Sequence, residues 1–392
     1  MTEPGPAQSA AGSVLFLISS LHPGGAERQL IGLAAGLARI GWRVRVVTFT
    51  DGGELAGDLR GRGVAVESLH RQGRRDVIGF AMRLVRSIRR DRPDVVHAYL
   101  LGPNIASVLL KPFARGASIV WGVRASDMNL GHYGRRSSLI FALSCRLARF
   151  ADLIICNSMA GLDHHAARGY PRRRMIMIPN GIDAGAFVPD PVARGMIRSE
   201  LGVQDDRPLV GLVGRLDPMK DHATFLRAAR LVADERPDVR FVCVGHGSDG
   251  TRDALEALTA ELGLGDRVRW AGGRTDLSAV HNAFDLEVSS SAWGEGFSNA
   301  IAEAMATAVA CVVTDVGDSA AVVGDTGWVC RPGRPEELAA AILEAVARPE
   351  ELAQRGKLAR RRIVEQFSED RRDRATAAAL AGLGRRRATV AG

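Results

Sequence analysis

The chain of 392 residues has no run of about 18 uninterrupted apolar residues, so no membrane-spanning helix is expected. Residues 1–12 lack a basic stretch followed by an apolar one, and no secretory signal peptide is expected there. There are five cysteines (145, 156, 243, 311 and 330), an odd count with no CxxC, and four of them lie in apolar runs. That pattern suits buried thiols in a reducing compartment better than disulfides or zinc ligands. The nine histidines lack metal spacing: His164 and His165 are adjacent, and no HExxH occurs. Lysine is nearly absent, since only Lys111, Lys220 and Lys357 contribute to the 52 basic residues. Aromatics are 5%, with no run that interleaves them with basic residues, so the formal charge of +8 does not read as a nucleic-acid surface. It suits phosphorylated small molecules or an anionic membrane.

What remains is a globular composition, 46% hydrophobic and 24% charged, long enough for two or three domains at roughly 150 residues each. Val- and Ile-rich runs at 13–20, 43–49, 64–69, 94–99, 118–124 and 152–157 alternate with amphipathic stretches at 26–39, 76–90, 103–113, 137–150 and 159–168. Such runs read as strands buried on both faces of a parallel sheet, joined by crossover helices. The pattern restarts with strands at 208–216, 239–246, 267–271, 286–290, 310–315 and 327–330, and helices at 222–234, 253–262, 298–308, 335–347 and 350–366. Pro179-Asn180-Gly181-Ile182-Asp183 marks the joint, followed by two further prolines in 187–191. The expected architecture is therefore α/β, with two Rossmann-like doubly wound domains at 1–185 and 186–368 and a helix in 369–392 that returns to the first. Ligands are expected where strand C-termini meet an inter-domain cleft.

Three constellations would line such a cleft. After the first strand, Gly24-Gly25 opens a helix whose free N–H groups suit an anion, although a plain tight turn explains the same residues. It is not a GxGxxG fingerprint. The second domain opens with Gly211-Leu212-Val213-Gly214-Arg215, and Lys220 follows five residues on. Two cations at a strand end suit a departing diphosphate; the alternative for Lys220 is a surface ion pair with Asp217 or Asp221. The third is Glu295-Gly296-Phe297-Ser298-Asn299, with Glu303 eight residues after Glu295. Along a helix that separation is about 12 Å, which lets both carboxylates address one ligand from nearly one face. The alternatives are a solvated loop carboxylate for Glu295 and a helix-face charge for Glu303.

Taken in order, Gly-Gly-Ala-Glu after the first strand, Asn157-Ser158, Pro-Asn-Gly-Ile-Asp, Gly-Arg-Leu-x-x-x-Lys-Asp and Glu-Gly-Phe-Ser-Asn-x-x-x-Glu resemble the retaining nucleotide-sugar glycosyltransferases of family 4, of GT-B fold, over about residues 13–370. The resemblance implies that Arg215 and Lys220 hold the donor diphosphate and that Glu295 contacts hydroxyls of the transferred sugar. It gives Phe297, Ser298 and Asn299 backbone contacts to the diphosphate, with Gly296 in the same turn, and gives Glu303 the ribose hydroxyls. It places Gly272, Gly273 and Arg274 at the base and Gly24-Gly25 beside the diphosphate and acceptor. The donor would be UDP- or GDP-linked, with no cofactor and no metal. The reaction would retain anomeric configuration, and no residue stands out as a covalent nucleophile. Where many members carry a histidine near the end of the fifth strand, this chain has Arg124, so His97, Arg124 and Asp127 are the acceptor-side candidates.

Residues 133–150 place Arg135, Arg136, Arg146 and Arg149 around Leu139, Ile140, Phe141 and Leu143. Such a helix suits an anionic inner leaflet and a glycan or lipid-linked acceptor; ordinary packing on the sheet is the alternative. A cytoplasmic enzyme of cell-surface polysaccharide synthesis is the expectation. Two other readings are a nucleotide-sugar epimerase or phosphorylase on the same plan, and a non-catalytic nucleotide binder. An epimerase needs acid/base groups around C2 of the sugar that cannot be placed, and a phosphorylase needs pyridoxal phosphate on a lysine.

Overall fold

Strands that are buried on both faces are largely apolar, and so are the central segments here. Ser118–Val123 and Ala310–Thr314 are buried along their whole length. The computed structural model describes residues 11–73, 75–114, 116–126, 134–203 and 207–391, without the side chains of 134–136 and 384–391. β1 (Gly12–Ile18), β2 (Trp42–Thr48), β3 (Ala65–Ser68), β4 (Val95–Tyr99), β5 (Ser118–Val123), β6 (Leu153–Cys156) and β7 (Met175–Met177) form one parallel sheet in the order β3-β2-β1-β4-β5-β6-β7. β8 (Leu209–Val213), β9 (Arg240–Val244), β10 (Val268–Gly272), β11 (Leu286–Ser289), β12 (Ala310–Thr314) and β13 (Trp328–Cys330) form a second, in the order β10-β9-β8-β11-β12-β13. Each order reverses once, between β1 and β4 and between β8 and β11. At such a switch point the loops leaving two adjacent strands turn to opposite faces and open a crevice for a ligand.

The twelve expected strands are present, and β7 is an addition. Its three residues at the sheet edge are too few for any periodicity to reveal. Four helices were also not expected: Leu55–Gly61, Pro191–Leu201, Leu277–Ala283 and Ser319–Val323. The second follows from a misread proline. Pro191 is not a turn residue but the first residue of a helix, where its missing N–H costs nothing, and Asp190 Oδ1 accepts from the N–H groups of Val192 and Ala193 at 2.9 and 3.0 Å.

The chain packs as two units. One runs to Gly181, apart from 125–129, and takes back the chain from Glu369 onward; the other is 125–129 with Ile182–Ser368, so its main stretch begins four residues before the expected boundary at 186. The C-terminal helix (Glu369–Ala391) lies on the first helix (Gly25–Arg39) of the first unit, with Leu380 fully buried. Buried Gln29 organises that contact. Its amide donates to Gly181 O at 2.9 Å and accepts from Gly181 N at 3.1 Å, and Arg372 donates to its Oε1 at 3.0 Å. Arg372 also holds Asp373 at 2.7 Å. Burial lifts the Asp373 carboxyl to about 6 even so. Gly181 is required by close approach, since a Cβ there would stand 2.6 Å from the Cα of Glu369. An Ala for Gly exchange often stabilises by 0.4–1 kcal/mol through the unfolded chain, roughly. Here the clash outweighs it: Gly181→Ala should destabilise the first unit by about 1–3 kcal/mol in urea unfolding, and a raised midpoint would refute this packing.

Candidate functional site

The loops after β8 and β11 meet at the switch point of the second sheet. After β8, Asp217 accepts from Met219 N at 3.0 Å and starts a single 3₁₀ turn, Pro218–Lys220. Asp221, at φ +47°, caps the helix His222–Glu235, accepting from Thr224 N at 3.1 Å and Thr224 Oγ1 at 2.6 Å. Both aspartates are thus engaged as caps. The loop after β11 is stitched to this turn: Ser290 Oγ donates to the carbonyls of Lys220 and Asp221 at 2.8 and 3.0 Å, and Ala292 N donates to Met219 O at 2.8 Å.

The stitching aims Lys220 at Glu295, not at Asp217 or Asp221. Lys220 Nζ donates to Glu295 Oε1, and Ser291 Oγ donates to the same oxygen at 2.8 Å. The Glu295 side chain is 7% exposed, so it is not a solvated loop carboxylate. Burial works to raise its pKa, but the Lys220 charge, the two hydrogen bonds and the Arg215 charge outweigh burial and hold the carboxyl below its ordinary range. The backbone beneath it is held from β12. Thr314 Oγ1 donates to Ser291 O at 2.7 Å and Asp318 N to Gly296 O at 3.0 Å. Gly317, at φ +64°, lets that loop approach; a Cβ would sit 2.3 Å from Glu295 O. Ser290, Ser291, Thr314 and Gly317 were not singled out in the sequence. The run Ser289-Ser290-Ser291 at a strand end was the available signal.

Helical spacing does not relate Glu295 to Glu303. The helix is Asn299–Ala306, and Glu295 precedes it in the loop. Phe297 turns inward against Phe367, 5.4 Å between ring centroids, and the Ser298 hydroxyl does not cap the helix start. Glu303 is 12% exposed and faces His281 Nε2 at 3.6 Å. The Arg215 side chain is 63% exposed, with loose approaches of 3.8 Å to Asp217 and 4.0 Å to Met219 Sδ. Gly272 ends β10 at φ +67°. Arg274, placed at the base by resemblance, is instead committed to Glu200 and Asp276, with Nη2 at 3.1 and 2.6 Å from their oxygens. Among the described residues no group of three or more His, Cys, Asp or Glu could hold a metal ion.

On the first unit, Gly24 precedes the first helix in extended backbone, and a Cβ there would meet the Glu27 carboxylate at 2.2 Å. His97 is fully buried, its ring 5.2 Å from Phe16 and 4.9 Å from Tyr99, and neither ring nitrogen has a hydrogen-bond partner among the described residues. Burial, aided by Arg124, pushes its pKa well below the ordinary value, so it is a neutral core ring. Arg124 lies over the Tyr99 ring at 4.3 Å, donates to its hydroxyl at 2.6 Å and reaches Asn180 Oδ1 at 3.5 Å. Asp127 lies outside the described residues.

Residues 23–185 match the model of glycosyltransferase family 4, and residues 207–348 match that of the glycosyl transferases group 1. Together the two matches support a family-4-type glycosyltransferase. HepE of Anabaena, solved in complex with UDP-glucose, is similar to this family-4-type chain with a TM-score of 0.85 and 25% identity, over 95% of this chain and 100% of that one. The lipopolysaccharide core biosynthesis glycosyltransferase LpsE of Rhizobium meliloti is 29% identical over 353 residues, 88% of this chain and 93% of that protein. The D-inositol 3-phosphate glycosyltransferase of Segniliparus rotundus is 31% identical over 191 residues, 47% of this chain and 42% of that protein. The match thus spans under half of that relative's length.

Removing one partner of a buried pair leaves the other charge uncompensated. Lys220→Met should destabilise the second unit by about 3 kcal/mol at neutral pH. In the native protein, the depressed Glu295 pKa contributes stability that is present above pH 4.5 and is lost as pH falls. In Lys220→Met the bare, desolvated carboxyl would have a raised pKa, and stability would instead grow as pH falls towards 4.5. Unfolding midpoints at pH 7.5 and pH 5 test the reversal; an unchanged pH slope would contradict it.

Proposed function

We propose that the protein is a retaining glycosyltransferase that moves a hexose from a nucleotide-diphosphate sugar to a glycan or lipid-linked acceptor without a metal ion. The observation that carries the reading is the buried Lys220–Glu295 pair at the switch point of the second sheet. An ammonium has three donor hydrogens. With one given to Glu295, the other two serve a diphosphate, and exposed Arg215 is free to join it. As the anomeric C–O bond breaks, its electron pair leaves with the diphosphate oxygen, the acceptor oxygen bonds to the anomeric carbon from the same face and passes its proton to that leaving oxygen, and these two cations hold the charge that develops meanwhile. Glu295, kept ionised, accepts from hydroxyls of the sugar. Glu303 accepts from the ribose hydroxyls, and the turn 296–299 at the head of its helix presents N–H groups to phosphate oxygens. The complexes of HepE with UDP-glucose favour a UDP-linked donor. LpsE, named for lipopolysaccharide core synthesis, favours a cell-surface glycan as the acceptor. Arg124 on the first unit offers a cation to an anionic acceptor.

The acceptor reading extends to a peripheral seat on an anionic inner leaflet. No helix among the described residues is long and apolar enough to cross a membrane. On the helix Gly134–Leu147, Leu139 is 70% and Leu143 44% exposed, and Arg146 and Arg149 are exposed nearby. On the helix Val77–Asp91, Val77, Ile78 and Met82 are exposed along with Arg86, Arg89 and Arg90. Apolar groups ringed by arginine suit a charged lipid surface.

A thermal-shift panel of nucleotide sugars should single out UDP-hexoses. At a hundredfold excess over Kd, stabilisation is about 2.7 kcal/mol. Glu295→Gln, which keeps shape and loses charge, should lower kcat about a hundredfold or more. No stabilising nucleotide sugar, or near-normal turnover in both Glu295→Gln and Arg215→Ala, would remove the assignment. The protein should also sediment with vesicles containing anionic lipid at low salt and stay free of zwitterionic ones; equal partition would end the membrane reading.

A further inference from the structure

A second cluster of buried ionisable groups lies in the same unit, and the chemistry above does not use it. His281, on the helix Leu277–Ala283, is fully buried between Phe187 and Phe284, with ring centroids 6.0 and 6.1 Å away. Its Nδ1 stands 2.5 Å from Oε2 of Glu287, a fully buried carboxylate on β11. Its Nε2 has no hydrogen-bond partner among the described residues and faces Glu303 Oε2 at 3.6 Å. Three elements thus converge in a row of carboxylate, imidazole and carboxylate, and only the last member reaches the surface.

The arrangement is costly. Isosteric apolar side chains at such positions are often neutral or stabilising, so a buried charged trio is weak evidence for stability and calls for another role. The spacing suggests one. At 2.5 Å Glu287 fixes the ring orientation and places a proton on Nδ1. At 3.6 Å the other nitrogen attracts the Glu303 carboxylate but is too distant for a hydrogen bond, so both Glu303 oxygens remain acceptors for a ligand. We propose that His281, held by Glu287, is a positioning residue that orients Glu303 for a vicinal diol of the donor nucleotide. The proposal rests on the reading of Glu303 as the carboxylate that takes the ribose hydroxyls.

The charge balance is consistent. Burial disfavours an imidazolium, yet Glu287 and then Glu303 outweigh it and raise the His281 pKa to about 9. The other ionisable groups that act on this row are Lys220, whose charge reaches Glu287, and Cys311 on β12, whose thiol burial and Glu287 push well up and keep neutral. Burial raises the Glu287 carboxyl, with His281 acting against it, so the proton stays within the Glu287–His281 pair, and Glu303 stands at the accessible end of the row.

Binding of UDP, GDP and their 2′-deoxy forms, measured by calorimetry, tests this in the full chain. The native protein should prefer the ribose form of its nucleotide. Glu303→Gln should lose the preference; if it does not, the ribose reading of Glu303 fails, and this inference with it. The paired variant His281→Leu with Glu287→Leu removes both buried charges together, so the core stays neutral. It should bind the ribose nucleotide about tenfold more weakly, roughly 1.4 kcal/mol, and show no preference, although its unfolding midpoint is retained. A paired variant that keeps the preference while Glu303→Gln loses it would overturn the proposal alone. Should the pair fail to fold, Glu287→Gln, which keeps the hydrogen bond to His281 and removes the charge, carries the same test: a reduced preference supports positioning and an unchanged one overturns it.

Discussion

A carboxylate that is kept ionised inside a protein needs a cation in contact, and here Glu295 has Lys220. The rest of the second unit can be read as support for that contact. Asp217 and Asp221 shape the turn that carries the lysine, Ser290 ties the turn to the neighbouring strand end, and Ser291 supplies the remaining hydrogen bond. A compact ammonium suits the position better than guanidinium, because it can serve one carboxylate and still present donors elsewhere. In a chain whose basic residues are otherwise almost all arginine, that requirement accounts for a lysine at this point.

The sheet order explains why two loops 75 residues apart meet. β8 and β11 are neighbours, but each continues to a different side of the sheet, so their C-terminal loops are not bridged by a helix. The first sheet repeats the device between β1 and β4, with a different lining. Gly24 makes room for a carboxylate, His97 is part of the core, and Arg124 stacks on Tyr99.

Much of the architecture was legible in the residues. Continuous Val/Ile runs of strand length read as strands covered on both faces, and the alternation with amphipathic stretches points to parallel pairing. The misses had local causes. β7 is three residues long, and proline favours both turns and the first position of a helix, so Pro191 alone does not tell the two apart. Within the site, Lys220 stood out as a rare lysine beside Arg215 at a strand end, and Glu295 and Glu303 as a spaced carboxylate pair, the second on an otherwise apolar helix. Arg274 stood out on resemblance alone, and its two carboxylate partners, 74 residues and two residues away, show why motif position does not give side-chain direction.

The sequence by itself determined the element types, the parallel layering and the list of charged residues near strand ends, because these follow from hydrophobic periodicity and turn chemistry within a few residues. Partner choice was decided only by tertiary structure. Whether Lys220 meets Asp217, Asp221 or Glu295, and whether a histidine at 281 sits between carboxylates from β11 and the Asn299–Ala306 helix, depends on which strands lie side by side and how deeply each loop is buried. Coulomb attraction and desolvation act over a few ångströms in space, and distance along the chain carries no information about them.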